Sequence, residues 1–406
     1  MSCRSCGNSS LVPVLSLGET PLADGLLYAD QLGEREPRVP LDFAFCPACS
    51  LAQITQTVDP EILFCNDYPY YTSVSPQLQE HFAASARALI ASRGLDERSM
   101  VVEAASNDGA MLRVFADAGI PVLGIDPASG PAEAARKRGV PTLCDFFGAS
   151  LARTLRDERG IAADLVLGNN VLAHVPDLNG FVQGIATLLA PDGAAVIEVP
   201  YVVDLVRNCE FDTIYHQHLC YFSATSLDVL FRRHGLFLND VERTPIHGGS
   251  LRLTVERSDR CGTRVSAMLA EERALRIDEA VFYAGFVERV TTIKNHLREL
   301  LDELRREGRR VAAYGAAAKA TTLCSYVGID TGLVEYVVDR NPHKHGRYMG
   351  GSRLPIVPPS ALEQTPPDYL LVLAWNFAGE IMEQERAFRE SGGRFIIPIP
   401  EVKVVA

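Results

Sequence analysis

The stretch "FDTIYHQHLCYF" (211–222) gathers ionisable and aromatic side chains more densely than any other part of the chain. Tyr215, His216, Gln217 and His218 follow one another in it. The pKa of histidine lies close to neutral pH, so this group suits a general base that removes a proton from carbon. Two other interpretations are a metal site, because His216 and His218 would share one face of a strand, and a polar cluster inside a core. The metal site is the weaker interpretation.

Four of the ten cysteines form two C-x-x-C pairs, "CRSC" and "CPAC". Cys3, Cys6, Cys46 and Cys49 can place four thiolates tetrahedrally around zinc, and a fully occupied shell makes such a zinc structural. A disulfide or a redox pair is the alternative, but the pairs lack a thioredoxin-like strand–helix context. We predict that the remaining cysteines are small buried side chains: Cys65, Cys144, Cys209, Cys220, Cys261 and Cys324.

Composition narrows the class of protein. A hydrophobic content of 47% and a charged content of 22% are typical of a globular chain of two or three domains. The net charge of -12 argues against a nucleic-acid partner, which needs clustered basic residues. The sequence has neither an apolar run long enough to span a membrane nor a signal-peptide core at "MSCRSCGNSS", so we expect a cytoplasmic protein. We expect a monomer or a weak oligomer.

The hydrophobic pattern predicts an α/β fold in several units. Strands alternate with helices from residue 100, which indicates a doubly wound parallel sheet, and a second, smaller α/β unit begins at residue 310. A Glu-, Arg- and Leu-rich stretch between them predicts one long helix or two. The predicted units are a zinc-binding module (1–66), a central α/β domain (67–261), a helical bridge (262–309) and a smaller Rossmann-like α/β domain (310–406).

The first strand–helix turn of the central domain, in "VVEAASNDGAMLRVF", has the features of a nucleoside site. Gly109 is its only glycine, so it does not resemble a phosphate-binding loop. Asp126 ends the next strand, where a carboxylate can accept hydrogen bonds from ribose. An acidic, glycine-poor turn suits a cationic adenosyl ligand, although any α/β protein can carry a polar turn. The predicted cofactor-binding residues are Glu103, Ser106, Asn107, Asp108, Gly109, Asp126, Asp145, Phe146 and Asn169.

Two later segments extend this pattern. "CDFF" (144–147) offers Asp145 and Phe146 to an adenine, and "GNNVLAHVPDL" (168–178) follows the fourth strand. In this order, the turns resemble those of S-adenosyl-L-methionine methyltransferases of class I.

Nearly the whole chain resembles one family more closely. A four-cysteine module, "SNDG", "YGAAAKATTL" and "AWNF" occur together in the deoxysugar C-methyltransferases of antibiotic biosynthesis, of the tetronitrose and mycarose type. The resemblance implies an enzyme that methylates carbon 3 of a nucleotide-linked 4-keto-6-deoxysugar, usually linked to thymidine diphosphate (dTDP). It implies S-adenosyl-L-methionine as cofactor, a structural zinc, and a C-terminal domain that binds the nucleotide sugar.

The resemblance also implies roles for the opening stretch. His218 would be the base that forms an enolate, Tyr215 would orient the substrate or the enolate, and His174 would hydrogen-bond the sugar from across the pocket. Gln217 stands where the relatives carry Glu. Three interpretations follow: His218 can act as the base alone, an acidic group can come from elsewhere in the chain, or the reaction can differ. A different reaction would be methyl transfer to carbon 5 or to oxygen, and a further alternative is a cofactor-binding protein with altered or lost chemistry.

Further positions are predicted to contact the substrate. Lys319 begins a helix, which suits a diphosphate, and "LAWNF" ends a strand, where α/β proteins bind ligands. Paired glycines in "HGGSLR" would let backbone approach a ligand, or simply form a tight turn. The predicted substrate-binding residues are Tyr70, Tyr71, Asn170, His247, Lys319 and Asn376, and packing alone is the alternative for several of them.

Overall fold

The N-terminal module is a small antiparallel sheet. The structure, a computed structural model, describes residues 2–65 and 70–406, and the side chain of His247 also lies outside the described part. The strands of the module are β1 (Val12–Pro21), β2 (Arg38–Phe45) and β3 (Ala52–Ile54). Helix α1 (Pro76–Arg93) follows. Its first turn is capped by the Ser75 hydroxyl, which accepts a hydrogen bond from Leu78 N at 3.3 Å, and it ends at Gly94 in the left-handed region.

The central domain is the predicted doubly wound sheet. Its parallel strands are β4 (Val101–Ala104), β5 (Val122–Ile125), β6 (Thr142–Leu143), β7 (Ala163–Asn169) and β8 (Leu189–Pro200), in the order β8-β7-β4-β5-β6. The helices on its faces are α2 (Leu112–Asp117), α3 (Ser129–Lys137), α4 (Ala149–Asp157), α5 (Leu178–Leu188) and α6 (Val202–Arg207). The chain order reverses between β4 and β7, so ligands are expected beyond the carboxyl ends of these two strands.

One short strand of the central domain belongs to the sheet of the N-terminal module. Strand β9 (Cys220–Tyr221) pairs antiparallel with β3, with Gln53 opposite Cys220. Helix α7 (Ala224–Arg233) follows, and then the predicted antiparallel strands β10 (Phe237–Thr244) and β11 (Ser250–Glu256) extend the central sheet next to β8. The end of "FDTIYHQHLCYF" therefore joins the two units.

The bridge consists of two helices, α8 (Thr263–Leu275) and α9 (Phe286–Arg306). Glu272 of α8 is fully buried and accepts hydrogen bonds from the Tyr201 hydroxyl at 2.9 Å, the Thr225 hydroxyl at 2.6 Å and Ala224 N at 2.8 Å. A buried carboxylate needs such donors, so this contact fixes the bridge to the central domain.

The C-terminal domain repeats the doubly wound pattern on a smaller scale. Its elements are β12 (Val311–Tyr314), α10 (Ala318–Val327), β13 (Val337–Val338), β14 (Ile356–Val357), α11 (Ala361–Gln364), β15 (Tyr369–Val372), α12 (Ala378–Gln384), α13 (Arg386–Glu390), β16 (Arg394–Ile397) and β17 (Lys403–Val405). The order β14-β13-β12-β15-β16-β17 reverses between β12 and β15. At this point Gly315 has φ +96°, and a Cβ there would lie 2.6 Å from Ala374 Cβ, so only glycine fits.

An apolar core runs through all these units without interruption, from Leu15 and Phe43 in the N-terminal module to Val102, Leu297 and Ile396. Within the described part, the helices are too short or too polar to cross a membrane. The prediction of burial for the scattered cysteines is wrong for Cys144 and Cys261, whose side chains are exposed on loops, and Cys65 is only half-buried.

Candidate active site and metal centre

The two C-x-x-C pairs meet in the N-terminal module. The sulfur atoms of Cys3, Cys6, Cys46 and Cys49 all lie within 4.8 Å of one another, with Cys3 Sγ 3.4 Å from Cys49 Sγ and Cys6 Sγ 3.6 Å from Cys46 Sγ. Zinc–sulfur bonds of about 2.3 Å in a tetrahedron put the sulfurs about 3.8 Å apart, so the cluster fits zinc. Four thiolates leave no position for a substrate.

A cavity of about 530 Å³ connects the two points where the strand order reverses. At one end lie residues that follow β4, β5 and β7; at the other lie residues that follow β12, β13 and β15. Tyr215, Gln217 and His218 line the wall between these ends, which we call the central wall.

The first end of the cavity contains part of the predicted cofactor site. Asn107, Asp126, Phe146 and Asn169 line it. The Asp126 carboxylate accepts hydrogen bonds from Asn107 N at 2.8 Å and Ala128 N at 2.9 Å, and burial raises the pKa of Asp126 to about 6. The side-chain amide of Asn107 holds residues 70–72: its Oδ1 accepts from Thr72 N at 2.8 Å, and its Nδ2 donates to Tyr70 O at 3.1 Å.

The other predicted cofactor residues lie outside the cavity lining. Glu103 is buried behind Asn169, whose Nδ2 donates to it at 2.9 Å, and burial raises the pKa of Glu103 to about 8. Asp108 pairs with Arg138 at 3.1 Å. Ser106 is buried in the turn, Gly109 occupies its left-handed position at φ +74°, and Asp145 is exposed. Their roles stay predictions.

Tyr215 and His218 form a hydrogen-bonded pair in the central wall. The two rings are stacked with centroids 4.1 Å apart, and Tyr215 Oη lies 2.8 Å from His218 Nε2. His218 Nδ1 lies 2.9 Å from the Thr213 carbonyl oxygen, which can only accept a hydrogen bond. Nδ1 therefore carries the proton of the neutral ring, and Nε2 accepts from the Tyr215 hydroxyl. Burial and the charge of Asp24 raise the pKa of Tyr215 well above its ordinary value, so the hydroxyl keeps its proton.

His216 points away from this pair. It is fully buried, and its Nε2 lies 3.2 Å from the Pro40 carbonyl in β2. The segment 214–218 forms a turn, so the expectation that His216 and His218 share one face of a strand is wrong. His216 instead attaches the turn to the N-terminal module.

His174 faces the pair from the turn after β7. Its ring centroid lies 4.8 Å from that of His218, and burial lowers the pKa of His174 to about 4, so the ring is neutral. Its Nδ1 is buried and makes no hydrogen bond to the described residues. Tyr70, Tyr71 and Asn170 also line the cavity, and the Tyr71 ring stacks on His343 of the C-terminal domain with centroids 4.9 Å apart.

The second end of the cavity contains the predicted substrate residues of the C-terminal domain. Lys319 Nζ donates a hydrogen bond to Asn376 Oδ1 and lies 3.9 Å from the centre of the Trp375 ring. Trp375 Nε1 donates to Asp212 Oδ2 at 2.8 Å. Burial lowers the pKa of Lys319 to about 8, whereas the nearby carboxyls of Asp212 and Glu210 oppose this shift.

The paired glycines of "HGGSLR" approach carboxyl groups. A Cβ on Gly248, at φ +95°, would lie 2.6 Å from Glu210 Oε2, so this glycine lets the loop pass over that side chain. The predicted substrate contact of His247 lies outside the described residues.

Sequence reasoning missed several charged residues of the cavity lining, among them Asp339, Asp24 and Lys344. Asp339 follows β13 and accepts from Ala316 N at 2.8 Å; the rule that selected Asp126, an acid at the end of the second strand, could have found it. Asp24 and Lys344 also line the cavity, but no motif marks them.

The comparisons with known proteins cover the whole chain. A zinc binding domain model matches residues 3–64, a methyltransferase domain model matches 77–239, and a C-methyltransferase C-terminal domain model matches 245–400. C-methyltransferase NovU of Streptomyces niveus is 38% identical over 407 residues, which span 100% of this chain and 96% of the relative.

Solved structures resemble part of the chain. Magnesium protoporphyrin IX methyltransferase (ChlM) from Synechocystis PCC 6803 with bound SAM is 17% identical, with a TM-score of 0.35, over 44% of this chain and 79% of that chain. The CcbJ methyltransferase from Streptomyces caelestis is 15% identical, with a TM-score of 0.33, over 43% and 88%.

A zinc module and a doubly wound domain with an acidic first turn define a methyltransferase that uses S-adenosyl-L-methionine and carries a structural zinc site. The predictions of fold class, enzyme class and cofactors are confirmed. The chain belongs to the family of C-methyltransferases that includes NovU.

Proposed function

We propose that the enzyme methylates carbon 3 of a dTDP-linked 4-keto-6-deoxysugar through an enolate. The main support is one continuous cavity that joins two strand-order reversals, with a histidine–tyrosine pair between them. A reaction between two nucleoside-containing ligands needs two such ends and a base where they meet.

In this proposal the nucleotide of the sugar occupies the second end. Lys319 supplies a cation for the diphosphate, and the Asp339 carboxylate suits ribose hydroxyls, as Asp126 does for the adenosyl group at the first end. The 4-keto sugar then extends toward the central wall. S-Adenosyl-L-methionine, when bound at the first end, supplies an electrophilic methyl group.

The Tyr215–His218 pair suits the removal of a proton next to the keto group. The carbon–hydrogen bond breaks, its proton goes to Tyr215 Oη, and the hydroxyl proton of Tyr215 passes along the 2.8 Å hydrogen bond to His218 Nε2. The electron pair of the broken bond moves into the sugar, and the keto oxygen becomes the enolate oxygen. His218 ends doubly protonated, with Nδ1–H still donated to the Thr213 carbonyl.

His174 suits the enolate oxygen. Its ring is neutral, lines the cavity and lies 4.8 Å from that of His218, and a neutral imidazole can donate one hydrogen bond. A donor that faces the position where negative charge develops favours the transition state over the ground state.

The test is to incubate the enzyme with ¹³C-methyl S-adenosyl-L-methionine and dTDP-4-keto-6-deoxysugars that carry amine, hydroxyl or hydrogen at carbon 3. NMR of the product should show a new quaternary carbon at position 3, and His218→Gln should abolish it. A methyl group on carbon 5 or on oxygen would correct the position. If these sugars gain no methyl group and exchange no proton in heavy water, the proposal is wrong for this substrate class.

A further inference from the structure

The first part of the stretch 211–222 packs against the C-terminal domain. Residues 211–214, which we call the support turn, form one turn of 3₁₀ helix (Phe211–Thr213) followed by Ile214. The Phe211 ring is fully buried and meets the ring of Tyr326, in α10, with centroids 5.4 Å apart and the planes at 63°. The support turn belongs to the central domain, so this contact crosses between the two domains.

Two hydrogen bonds from the C-terminal domain hold the support turn. Thr322 Oγ1, in α10, donates to the Ile214 carbonyl oxygen at 2.9 Å. Trp375 Nε1, after β15, donates to Asp212 Oδ2 at 2.8 Å. Thr322 is 2% exposed and Asp212 is fully buried, so water cannot readily replace either donor.

The contact at Asp212 is charge-assisted. Burial raises the pKa of Asp212 to about 6, whereas the ammonium of Lys319 and the indole N–H of Trp375 lower it. Asp212 is therefore a carboxylate at neutral pH. A hydrogen bond to an ionised acceptor is stronger than one between neutral groups, so the Trp375 contact fixes this position of the support turn.

The residue between these two anchors holds the base. The Thr213 carbonyl oxygen lies 2.9 Å from His218 Nδ1 and accepts its hydrogen bond, and the Tyr221 hydroxyl makes a longer contact of 3.4 Å with the same oxygen. Since Asp212 and Ile214 are both bound to the C-terminal domain, the direction of the carbonyl between them is fixed. A carbonyl that keeps the proton on Nδ1 leaves Nε2 as the nitrogen that can accept one.

We propose that Thr322 and Trp375 are positioning residues for the base: they fix the Thr213 carbonyl, which selects the tautomer of His218 whose Nε2 accepts a proton. Neither residue is among the described residues that line the cavity. The C-terminal domain thereby serves the proton transfer as well as the nucleotide. The inference rests on the proposed function for its purpose, but the tautomer of His218 is a property of the protein alone.

The first experiment is nitrogen NMR of the full-length enzyme labelled with ¹⁵N at histidine, at a pH where the ring is neutral. The His218 signals are assigned from their loss in His218→Gln. Wild-type enzyme should show a protonated Nδ1 and an unprotonated Nε2 with well-separated shifts. Thr322→Val removes the hydroxyl and keeps the branched shape, so the two shifts should move toward each other as the tautomers mix. Thr322→Ser, which retains a hydroxyl, should restore the wild-type separation.

The second readout is exchange of the sugar proton in heavy water, with S-adenosyl-L-homocysteine bound. Thr322→Val should slow exchange about tenfold, because a misplaced base loses rate, while the half-saturating sugar concentration changes less than about twofold. Trp375→Phe, which keeps a ring beside Lys319, should act in the same direction. The matched control is Thr292→Val: its hydroxyl also donates to a carbonyl, Glu288 O at 3.0 Å, but within α9, and both readouts should stay at their wild-type values.

Unchanged nitrogen shifts of His218 in Thr322→Val overturn the inference, and if that variant does not fold, unchanged shifts in Trp375→Phe do so. A slow exchange in Thr322→Val that Thr322→Ser fails to restore also overturns it, because the loss then comes from packing and not from the hydroxyl. If wild-type enzyme exchanges no proton of any nucleotide sugar, the proposed function fails, and the nitrogen spectrum still decides the inference.

Discussion

Replacing Tyr215 by Phe tests whether the proton passes through the tyrosine. The change removes one oxygen and keeps the ring that stacks on His218, with centroids 4.1 Å apart. If Tyr215 relays the proton, proton removal loses its acceptor, and a general base typically contributes about 10²–10⁴ in rate. That factor corresponds to about 3–5 kcal/mol.

The effect on stability should be much smaller. The lost hydrogen bond between Tyr215 Oη and His218 Nε2 has a length of 2.8 Å, and such a bond contributes about 1 kcal/mol to folding. For a chain of this size the melting temperature should therefore fall by only a few degrees. A large loss of rate in a folded variant then reports on chemistry.

The assay is exchange of the sugar proton in heavy water, followed by NMR with S-adenosyl-L-homocysteine present so that methyl transfer cannot occur. Tyr221→Phe is the matched control, because its hydroxyl makes a longer 3.4 Å contact with the Thr213 carbonyl; it should keep exchange within about threefold of wild type. Exchange at the wild-type rate in Tyr215→Phe would refute the relay and leave His218 as a base that contacts the carbon directly.

Three other variants probe the remaining parts of the site. Cys49→Ser should reduce the zinc content, measured by mass spectrometry. It should also lower the melting temperature and the rate of methyl transfer together, because zinc holds the module that contacts the turn of residues 214–218. Lys319→Gln should raise KM for the nucleotide sugar about tenfold or more and leave the calorimetric affinity for the cofactor within about twofold. The pKa of Glu103 is raised from 4.5 to about 8 in the folded protein, so the stability that its protonated form contributes is complete below pH 4.5 and is lost as the pH rises through 8. In denaturant unfolding of the cofactor-free wild-type protein, the free energy of unfolding should fall by up to about 1.4 kcal/mol per pH unit between pH 5 and 8, and Glu103→Gln should remove this fall. Equal slopes of the unfolding free energy against pH in the two proteins would contradict this expectation.

Strands, helices and the residues at strand ends could be predicted from the sequence, because local hydrophobic patterns determine them. The buried strand "MVVEAA" and the acid that ends the next strand predict Asp126 at the carboxyl edge of the sheet, and the structure places it there in the cavity lining, because parallel strands of an α/β unit end at one edge. The two helices of the bridge also follow from their periodicity.

Contacts between distant segments could not be predicted in this way. Strand β9 has two residues, and its pairing with β3 depends on packing between segments about 170 positions apart. The same holds for His216 on Pro40 and for Asp24 beside Lys344. In each case the partner is selected by tertiary packing, and neither local sequence carries a signal for it.

The pairing of β3 with β9 also has a consequence for biosynthesis. When the first 65 residues leave the ribosome, β3 presents an open edge, and its partner emerges only after most of the central domain has been made. An open strand edge invites pairing with other chains. Residues 211–222, which carry β9, finally cover this edge. A chimera that exchanges N-terminal modules between relatives should accordingly carry residues 211–222 of the same parent.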